Sequence, residues 1–307
     1  MRVPLDLLIF NPPNPEFYYV PVGTFAICDW LRQRGYQSRI VNLCLPSCDP
    51  ISRRIRGVLE QYEPRNVGLV LHWKETLNQV LGVGAIVDEF RPGLPIWAGG
   101  ITAGCFATEL LESIPFLSGV IRGDAEIPLE RICAGLPSSS IPNLFHRKDG
   151  AIAAPETAWW AGGEFLDGLE FGDLRFLDDW PAYLRLVDHR LGIPLAAGRG
   201  CQRDCGYCGG SRSAFRIHSG RPVMSLRSPA RLVSDVRLAF ELGARNFLLT
   251  HSAEVCSRVL TELGRAFPRP LPFALHLELW SPPNRQLLDQ YVELGNGAER
   301  PLRHVLL

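Results

Sequence analysis

Long hydrophobic runs and an excess of either charge are both absent from this sequence. The apolar stretch at residues 5–10 contains Asp6 and follows Pro4, and no later stretch reaches the roughly 18 apolar residues that a membrane span needs. Lys and Arg together number 32, as do Asp and Glu. This balance gives no electrostatic drive toward nucleic acid or an anionic membrane. We therefore predict a cytoplasmic protein that binds neither.

A disulfide framework is not indicated either, although the chain has nine cysteines. Such frameworks occur in small exported domains, whereas this 307-residue chain is rich in apolar residues and shows no export signal. Six cysteines are scattered, and we interpret them all as small buried apolar residues: Cys28, Cys44, Cys48, Cys105, Cys133 and Cys256. The other three form a C-x3-C-x2-C array in "GRGCQRDCGYCGG", which predicts a metal site.

The first 136 residues alternate short β-rich runs with longer amphipathic stretches. The β-rich runs lie at residues 5–10, 38–43, 66–73, 94–100 and 117–123. Five successive βα units predict a parallel sheet with helices on both faces, which is a doubly wound flavodoxin-like or Rossmann-like domain of the α/β class. No G-x-G-x-x-G follows the first run, so a dinucleotide cofactor is disfavoured.

Ligands of doubly wound sheets bind beyond the carboxyl ends of the strands. The sequence "GGITAG" follows the fourth run, where Gly99, Gly100 and Gly104 allow close backbone approach and Thr102 provides a hydroxyl donor. Glycines at strand ends also occur for purely steric reasons. Both interpretations of these glycines, a ligand contact and a steric requirement, stay open. His72, just after the third run, is either a ligand contact or a structural residue.

The rest of the chain divides into a linker and a second βα series. Residues 137–191 lack a clean period and contain a hairpin signal at Asp149-Gly150, so we predict a linker with a hairpin. Residues 192–307 contain three βα units, with the cysteine array directly after the first strand. The predicted domains are therefore 1–136, 137–191 and 192–307.

The array suits an iron–sulfur cluster with one open iron. Three thiolates can each take a different iron of a cubane and leave the fourth iron without a protein ligand. A structural zinc site would require a fourth ligand, and the nearest histidine is His218. The ferredoxin spacing C-x2-C-x2-C does not match. A zinc-binding scaffold remains an alternative.

The array Cys201-QRD-Cys205-GY-Cys208, with an aromatic residue before the third cysteine, resembles the signature of the radical S-adenosylmethionine (SAM) superfamily. The first domain, with "NPP", "GGITAG" and "GDAE", resembles the B12-binding domain of cobalamin-dependent radical SAM proteins. This resemblance extends over residues 5–294. It implies a 4Fe–4S cluster, SAM and cobalamin as cofactors, and a partial radical SAM (β/α) barrel after the doubly wound domain.

Roles for individual residues follow from the resemblance alone. It implies that Cys201, Cys205 and Cys208 bind the cluster and that Tyr207 lies on the adenine side of SAM. It also implies corrinoid contacts at Gly99, Gly100 and Thr102. Gly123 and Glu126 match the family's G-E-x-E turn, with Glu126 as a cofactor-binding residue. Thr250, His251, Ser252 and above all Glu254 stand where many members have an amine-binding turn. Asp124 stands where the family's G-E-x-E turn has its first Glu. The D-x-H-x-x-G motif that supplies an axial histidine elsewhere is absent.

The function implied by the resemblance is methyl transfer to an unactivated carbon or phosphorus centre of an unknown small molecule, with an external electron donor. The main departure is the number of βα units, since three are fewer than a complete barrel contains. We therefore expect a bare parallel edge after the third strand, covered by a partner chain or by the first domain. The expected alternatives are a truncated, inactive cofactor-binding remnant and a zinc-binding scaffold.

Overall fold

The computed structural model describes residues 2–14 and 18–295 and the backbone of residues 305 and 306. The chain forms two compact units, and neither is one continuous segment. The first unit consists of Met1–Ala161, Phe176–Asp179 and Gly200–Met224. The second unit consists of Gly162–Arg175, Trp180–Arg199 and Ser225–Leu307. The cysteine array therefore lies in the first unit, although the sequence on either side of it lies in the second.

The described part of residues 2–161 contains the following elements. The strands are β1 (Val3–Leu5), β2 (Leu7–Asn11), β3 (Ser38–Asn42), β4 (Tyr62–Pro64), β5 (Val67–Val70), β6 (Ile96–Gly99), β7 (Leu117–Ile121), β8 (Leu144–Lys148) and β9 (Ala151–Ala153). The helices are α1 (Gly23–Gln33), α2 (Ile51–Gln61), α3 (Leu77–Phe90), α4 (Ile101–Cys105), α5 (Ala107–Ser113) and α6 (Glu126–Cys133).

The main sheet of the first unit has the strand order β3-β2-β5-β6-β7-β8-β9. Its first five strands are parallel, and their order is that of flavodoxin-like sheets. Helix α1 packs beside α6, and α2 packs beside α3. Strand β2 is buried along its whole length, as expected for a central parallel strand. The predicted doubly wound sheet is confirmed.

Two features extend this sheet beyond the prediction. The predicted hairpin is confirmed as β8 and β9, and it adds two antiparallel strands to the edge at β7. Its turn residues Asp149 and Gly150 have φ angles of 51° and 79°, which suit the twist of a tight hairpin. A separate parallel ribbon of β1 and β4 was not predicted, because three-residue strands are too short to show a period.

Residues 162–306 contain the remaining elements, in chain order. The helices are α7 (Gly163–Asp167), α8 (Trp180–Asp188), α9 (Arg212–Ser219), α10 (Pro229–Glu241), α11 (Ala253–Ala266) and α12 (Arg285–Gly295). The strands are β10 (Ile193–Leu195), β11 (Gly198–Arg199), β12 (Ser225–Leu226), β13 (Asn246–His251), β14 (Ala274–Leu279) and β15 (Val305–Leu306).

The second unit contains a parallel sheet in the order β10-β13-β14-β15. Helices α10, α11 and α12 pack side by side in sequence. Within the described residues the sheet does not close, so it is a partial (β/α) barrel, as predicted. The expectation of a bare edge after the third strand is wrong in part, because β15 pairs with β14 through the registers Leu277 to Val305 and Glu278 to Leu306.

The predicted lack of a further barrel element in the terminal residues falls mainly at 296–304 and 307, outside the described residues. Among the described residues, none of the helices has the length and apolar character required to cross a membrane.

Candidate functional site

The three array cysteines lie on a loop whose backbone donates hydrogen bonds to sulfur. The Arg203 N–H donates to Cys201 Sγ, and the Gly210 N–H donates to Cys208 Sγ, each at 3.4 Å. The Cys208 N–H donates to the Cys205 carbonyl at 3.1 Å and closes a turn between them. Hydrogen bonds of this kind stabilise thiolate ligands and tune the clusters they hold.

The array cysteines differ from the other cysteines in their surroundings. Cys201 and Cys205 are half-buried and Cys208 is exposed, so all three sulfur atoms are near the surface. In contrast, burial raises the pKa of Cys133 and of Cys256 to about 12. Thiols with such pKa values stay protonated at neutral pH and are poor metal ligands.

The interpretation of all six scattered cysteines as buried is wrong for some of them. Cys28 and Cys256 are buried, whereas Cys48 and Cys105 are exposed. The exposure arises because Cys48 lies in the loop before α2 and Cys105 ends the short helix α4. Cys44 is half-buried, and burial raises its pKa to about 11. All nine cysteines are free thiols.

The cysteine loop continues directly into helix α9. Ser211 is the N-cap of this helix, and its Oγ accepts a hydrogen bond from the Ala214 N–H at 3.3 Å. The Asp204 carboxylate accepts hydrogen bonds from the Ser213 hydroxyl at 2.7 Å and from the Ser213 N–H at 2.9 Å. These hydrogen bonds lower the pKa of Asp204. The loop is therefore tied to the first turn of α9.

The last turn of α9 packs closely against helix α4 and against the turn after β7, both at the carboxyl edge of the main sheet. A Cβ atom at Gly104 would lie 2.2 Å from the carbonyl oxygen of His218, and one at Gly123 would lie 2.4 Å from that of Ser219. His218 Nε2 lies 3.0 Å from the Gly209 carbonyl, next to Cys208. The "GGITAG" and "GDAE" segments therefore contact the helix that carries the cysteine loop.

The "GGITAG" segment is not a loop along its whole length, because it contains a turn and a short helix. Gly100 has a φ angle of 119°, and the chain then forms α4. A Cβ atom at Gly100 would lie 2.5 Å from the Leu71 carbonyl oxygen, so this turn requires glycine. Thr102 donates its hydroxyl hydrogen to the His72 carbonyl at 3.0 Å. At Gly99 the nearest atom to a Cβ would be 4.0 Å away, which leaves room beside the backbone.

The other predicted cofactor residues have different surroundings. Tyr207 is 94% exposed, beside Cys208 on the loop. Glu126 begins α6 with a side chain that is 0% exposed, so contact with a cofactor would require it to move. Glu254 lies in the first turn of α11 in the second unit and pairs with Arg258 at 2.5 Å on the surface. The first unit thus contains every predicted site residue except Thr250 and His251 at the end of β13 and Ser252 and Glu254 after it.

The residues at the carboxyl ends of β13 and β14 in the second unit form a small polar and aromatic group. The Thr250 hydroxyl donates to the Glu278 carboxylate at 2.9 Å. The rings of His251 and Trp280 stack with centroids 4.3 Å apart. Ser252 donates its N–H to His251 Nδ1 at 2.8 Å. Glu278 and Trp280 were not predicted as site residues, and their position at a strand end is the signal that indicates them.

His72 is half-buried at the same edge as the glycine turn. Its ring meets the Trp73 ring edge-on, with centroids 4.7 Å apart. Burial lowers the pKa of His72 to about 4, with a smaller contribution from the positive charge of His218. At neutral pH the ring is therefore uncharged.

This pKa predicts a pH dependence of stability. The folded chain resists protonation of His72, whereas the unfolded chain takes up the proton near pH 6.5, so stability is full above pH 6.5 and falls toward pH 4. The expected loss is about 3 kcal/mol, at 1.4 kcal/mol per pKa unit. In urea titrations across this pH range, His72→Gln should lack this loss. Equal pH profiles for His72→Gln and the exposed-site control His189→Gln would contradict it.

The residues around the array bear on the kind of metal site. Among the described residues, no three His, Cys, Asp or Glu side chains converge to hold one metal ion. The N–H donors at Cys201 and Cys208 suit thiolate ligands.

No protein-family model and no curated protein match the sequence. Solved structures match its fold. TsrM from Kitasatospora setae, a radical SAM methyltransferase, has 16% identity and a TM-score of 0.70 in the structure with cobalamin and a 4Fe–4S cluster, over 96% of this chain and 57% of that chain. With tryptophan and a SAM analogue bound, the identity is 17%, the TM-score 0.70 and the coverage 96% and 58%.

A second enzyme gives the same result. OxsB, a cobalamin-dependent SAM radical enzyme solved with aqua-cobalamin and SAM, has 12% identity and a TM-score of 0.68, over 95% of this chain and 42% of that chain. The chain thus spans about half the length of the structures that it matches. At these identities the likeness concerns the fold: the chain has the fold of cobalamin-dependent radical SAM enzymes.

Proposed function

We propose that the chain forms the cofactor-binding part of a cobalamin-dependent radical SAM enzyme. The observation that carries this proposal is the close packing of α9 on α4 and on the "GDAE" turn within one compact unit. The thiol loop and the ligand-binding edge of the doubly wound sheet are thereby joined. An enzyme that uses a cluster and a corrinoid together needs both binding sites held at a fixed separation.

Cys201, Cys205 and Cys208 would hold a 4Fe–4S cluster as thiolates. The N–H groups of Arg203 and Gly210 donate to two of the sulfur atoms and favour their charged form. The ring of Tyr207 is exposed beside them, free to pack on the adenine side of SAM. Three cysteine ligands would leave one iron without a protein ligand, and SAM would bind there.

Cobalamin would lie against the carboxyl edge of the main sheet. Gly99 would let a large ring approach the backbone there, since the nearest atom to a Cβ would be 4.0 Å away, whereas at Gly100 the Leu71 carbonyl fills that space. The hydroxyl hydrogen of Thr102 is engaged with the His72 carbonyl, so Thr102 offers a ligand only its oxygen lone pairs. His72 is uncharged at neutral pH, so one of its two ring nitrogens carries a lone pair in place of a proton.

When bound, the cluster supplies an electron that cleaves SAM, and cobalamin carries the methyl group that is transferred. The chain's own residues bind and orient these groups. We propose methyl transfer to an unactivated carbon or phosphorus centre of a small molecule. Thr250, Glu278 and the His251 ring stacked on Trp280, at the strand ends of the second unit, are the proposed polar contacts with SAM or substrate.

The partners follow from this chemistry. A one-electron donor must reduce the cluster from outside, and further polypeptide would have to pair beyond the two-residue strand β15 to complete a barrel. We propose a cytoplasmic location, because the nine thiols are free and disulfides are rare there.

The test is anaerobic reconstitution with iron, sulfide and cobalamin. The parent chain should take up about four iron and four sulfide ions, one cubane per chain. Single Cys→Ser changes at positions 201, 205 and 208 should each reduce this uptake to background. Cys48→Ser is the matched control, since Cys48 is an exposed thiol outside the array and should leave uptake unchanged.

The reaction products distinguish an active enzyme from a cofactor-binding chain without turnover. A reconstituted enzyme given SAM and a reductant should form 5′-deoxyadenosine and S-adenosylhomocysteine. Uptake of cluster and cobalamin with neither product would favour a cofactor-binding chain without turnover. No cluster in the parent chain would refute the radical SAM proposal.

A further inference from the structure

A buried ion pair links the segment after α9 to the turn after β7. The Arg221 guanidinium contacts the Asp124 carboxylate, and their side chains are 2% and 10% exposed. Arg221 Nη1 also donates to the Ala161 carbonyl at 3.1 Å, and the Ala161 N–H donates to Asp124 Oδ2 at 2.8 Å. These three residues form a ring of hydrogen bonds.

Arg221 lies close to both ends of the cysteine-bearing segment, residues 200–224. A Cβ atom at Gly200 would lie 3.0 Å from Arg221 Cδ and 3.1 Å from Met224 Cα. Gly200 itself has a φ angle of 85°, and Gly220, which ends α9, has a φ angle of 65°. The two ends of the segment 200–224 therefore lie close together, next to Arg221.

Packing and hydrogen bonds fix the backbone around Asp124. Gly123 before it has a φ angle of 90° and no room for a side chain, because the Ser219 carbonyl lies against it. The Asp124 carbonyl accepts a hydrogen bond from Asn143 Nδ2 at 3.0 Å. Asn143 Nδ2 also donates to the Trp159 carbonyl at 2.7 Å. The carboxylate thus has a fixed position relative to the main sheet.

We propose that the Asp124–Arg221 pair is a positioning device that fixes the cysteine loop relative to the carboxyl edge of the main sheet. Its value for catalysis rests on the proposed function, since it would set the separation of cluster and corrinoid. The pair also gives a role to the Asp that replaces Glu in the "GDAE" turn. Removal of either charge takes away the buried ion pair and should destabilise the contact between the two segments.

The test begins with the chain free of cofactors. Hydrogen–deuterium exchange should show amides of residues 200–224 exchanging roughly tenfold faster in Asp124→Asn than in the parent, because local opening no longer breaks the ion pair. Asp124→Glu retains the charge and should restore most of the protection. The matched control is Asp29→Asn, which removes a buried carboxylate of the same unit that pairs with Arg32 in α1.

Asp29→Asn should leave exchange in residues 200–224 at the parent rate. Unchanged exchange in Asp124→Asn would overturn the proposal, and so would an increase equal to that of Asp29→Asn, which would indicate general destabilisation. If Asp124→Asn does not fold, Arg221→Gln makes the same comparison, because it removes the charge of the other member of the pair and should give the same faster exchange.

A second measurement uses the reconstituted chain. The magnetic interaction between the reduced cluster and cobalt(II) broadens the cobalt EPR signal according to their separation. This broadening should change in Asp124→Asn and not in Asp29→Asn, even where iron content is equal; an identical line width would overturn the positioning role. If exchange responds as expected but the parent binds no cluster, the ion pair stands as a positioning device and the proposed function fails.

Discussion

Gly104→Ala should displace α9 and greatly reduce cluster binding. The new Cβ would lie 2.2 Å from the His218 carbonyl oxygen, which is backbone and cannot rotate away. Alanine favours a helix over glycine by about 1 kcal/mol, but forced overpacking costs about 1–3 kcal/mol. Because α4 has only five residues, the clash should dominate. We expect a lower thermal midpoint and a several-fold loss of iron uptake after reconstitution.

Gly57→Ala is the matched control for this prediction. Gly57 lies within α2 on an exposed surface, and a Cβ atom there meets nothing within 4 Å. The change should therefore stabilise the chain by about 0.5–1 kcal/mol and leave iron uptake unchanged. Full iron uptake by Gly104→Ala, at the parent thermal midpoint, would show that the packing of α9 on α4 is not required.

The main sheet could be predicted because its strands are buried on both faces. Strand β2 is apolar over Leu7–Phe10, and such short runs between amphipathic stretches indicate parallel strands directly. The choice between the flavodoxin-like and Rossmann-like strand orders could not be made, because each βα unit looks the same locally. Pairing of β2 between β3 and β5 depends on contacts between distant residues.

The candidate site could be predicted only in its cysteines and glycines. Their spacing is visible in the sequence, whereas the contacts of His218 with Gly104 and of Arg221 with Asp124 join residues about a hundred positions apart. Helix α9 has eight residues, too few to show a clear apolar period. Glu126 matched a motif, but its burial depends on the packing of α6 and has no local signal.

The second large effect is expected at Arg227, whose side chain is 0% exposed in the second unit. It contacts Asp235 at 2.5 Å and donates to the carbonyls of Leu166 at 3.2 Å, Leu169 at 3.0 Å and Ala196 at 3.2 Å. Arg227→Met removes every donor and leaves the Asp235 carboxylate buried without its counter-ion. A loss of about 3–5 kcal/mol is expected.

A double variant separates charge from hydrogen bonding at this position. Arg227→Met with Asp235→Leu removes the buried charge. The Ala196 carbonyl then loses its arginine donor and the Phe171 N–H loses its acceptor, each at a cost of about 1–3 kcal/mol, whereas the Leu166 and Leu169 carbonyls keep donors from Leu169 and Arg231. Recovery should therefore be partial, in contrast to isolated ion pairs, where apolar replacement is often neutral. Arg285→Met is the control, because both members of its pair with Asp289 are exposed, at 95% and 72%, and the pair should contribute less than about 1 kcal/mol. Thermal midpoints followed by circular dichroism rank the four chains, and full recovery by the double variant would show that Arg227 matters for its charge alone.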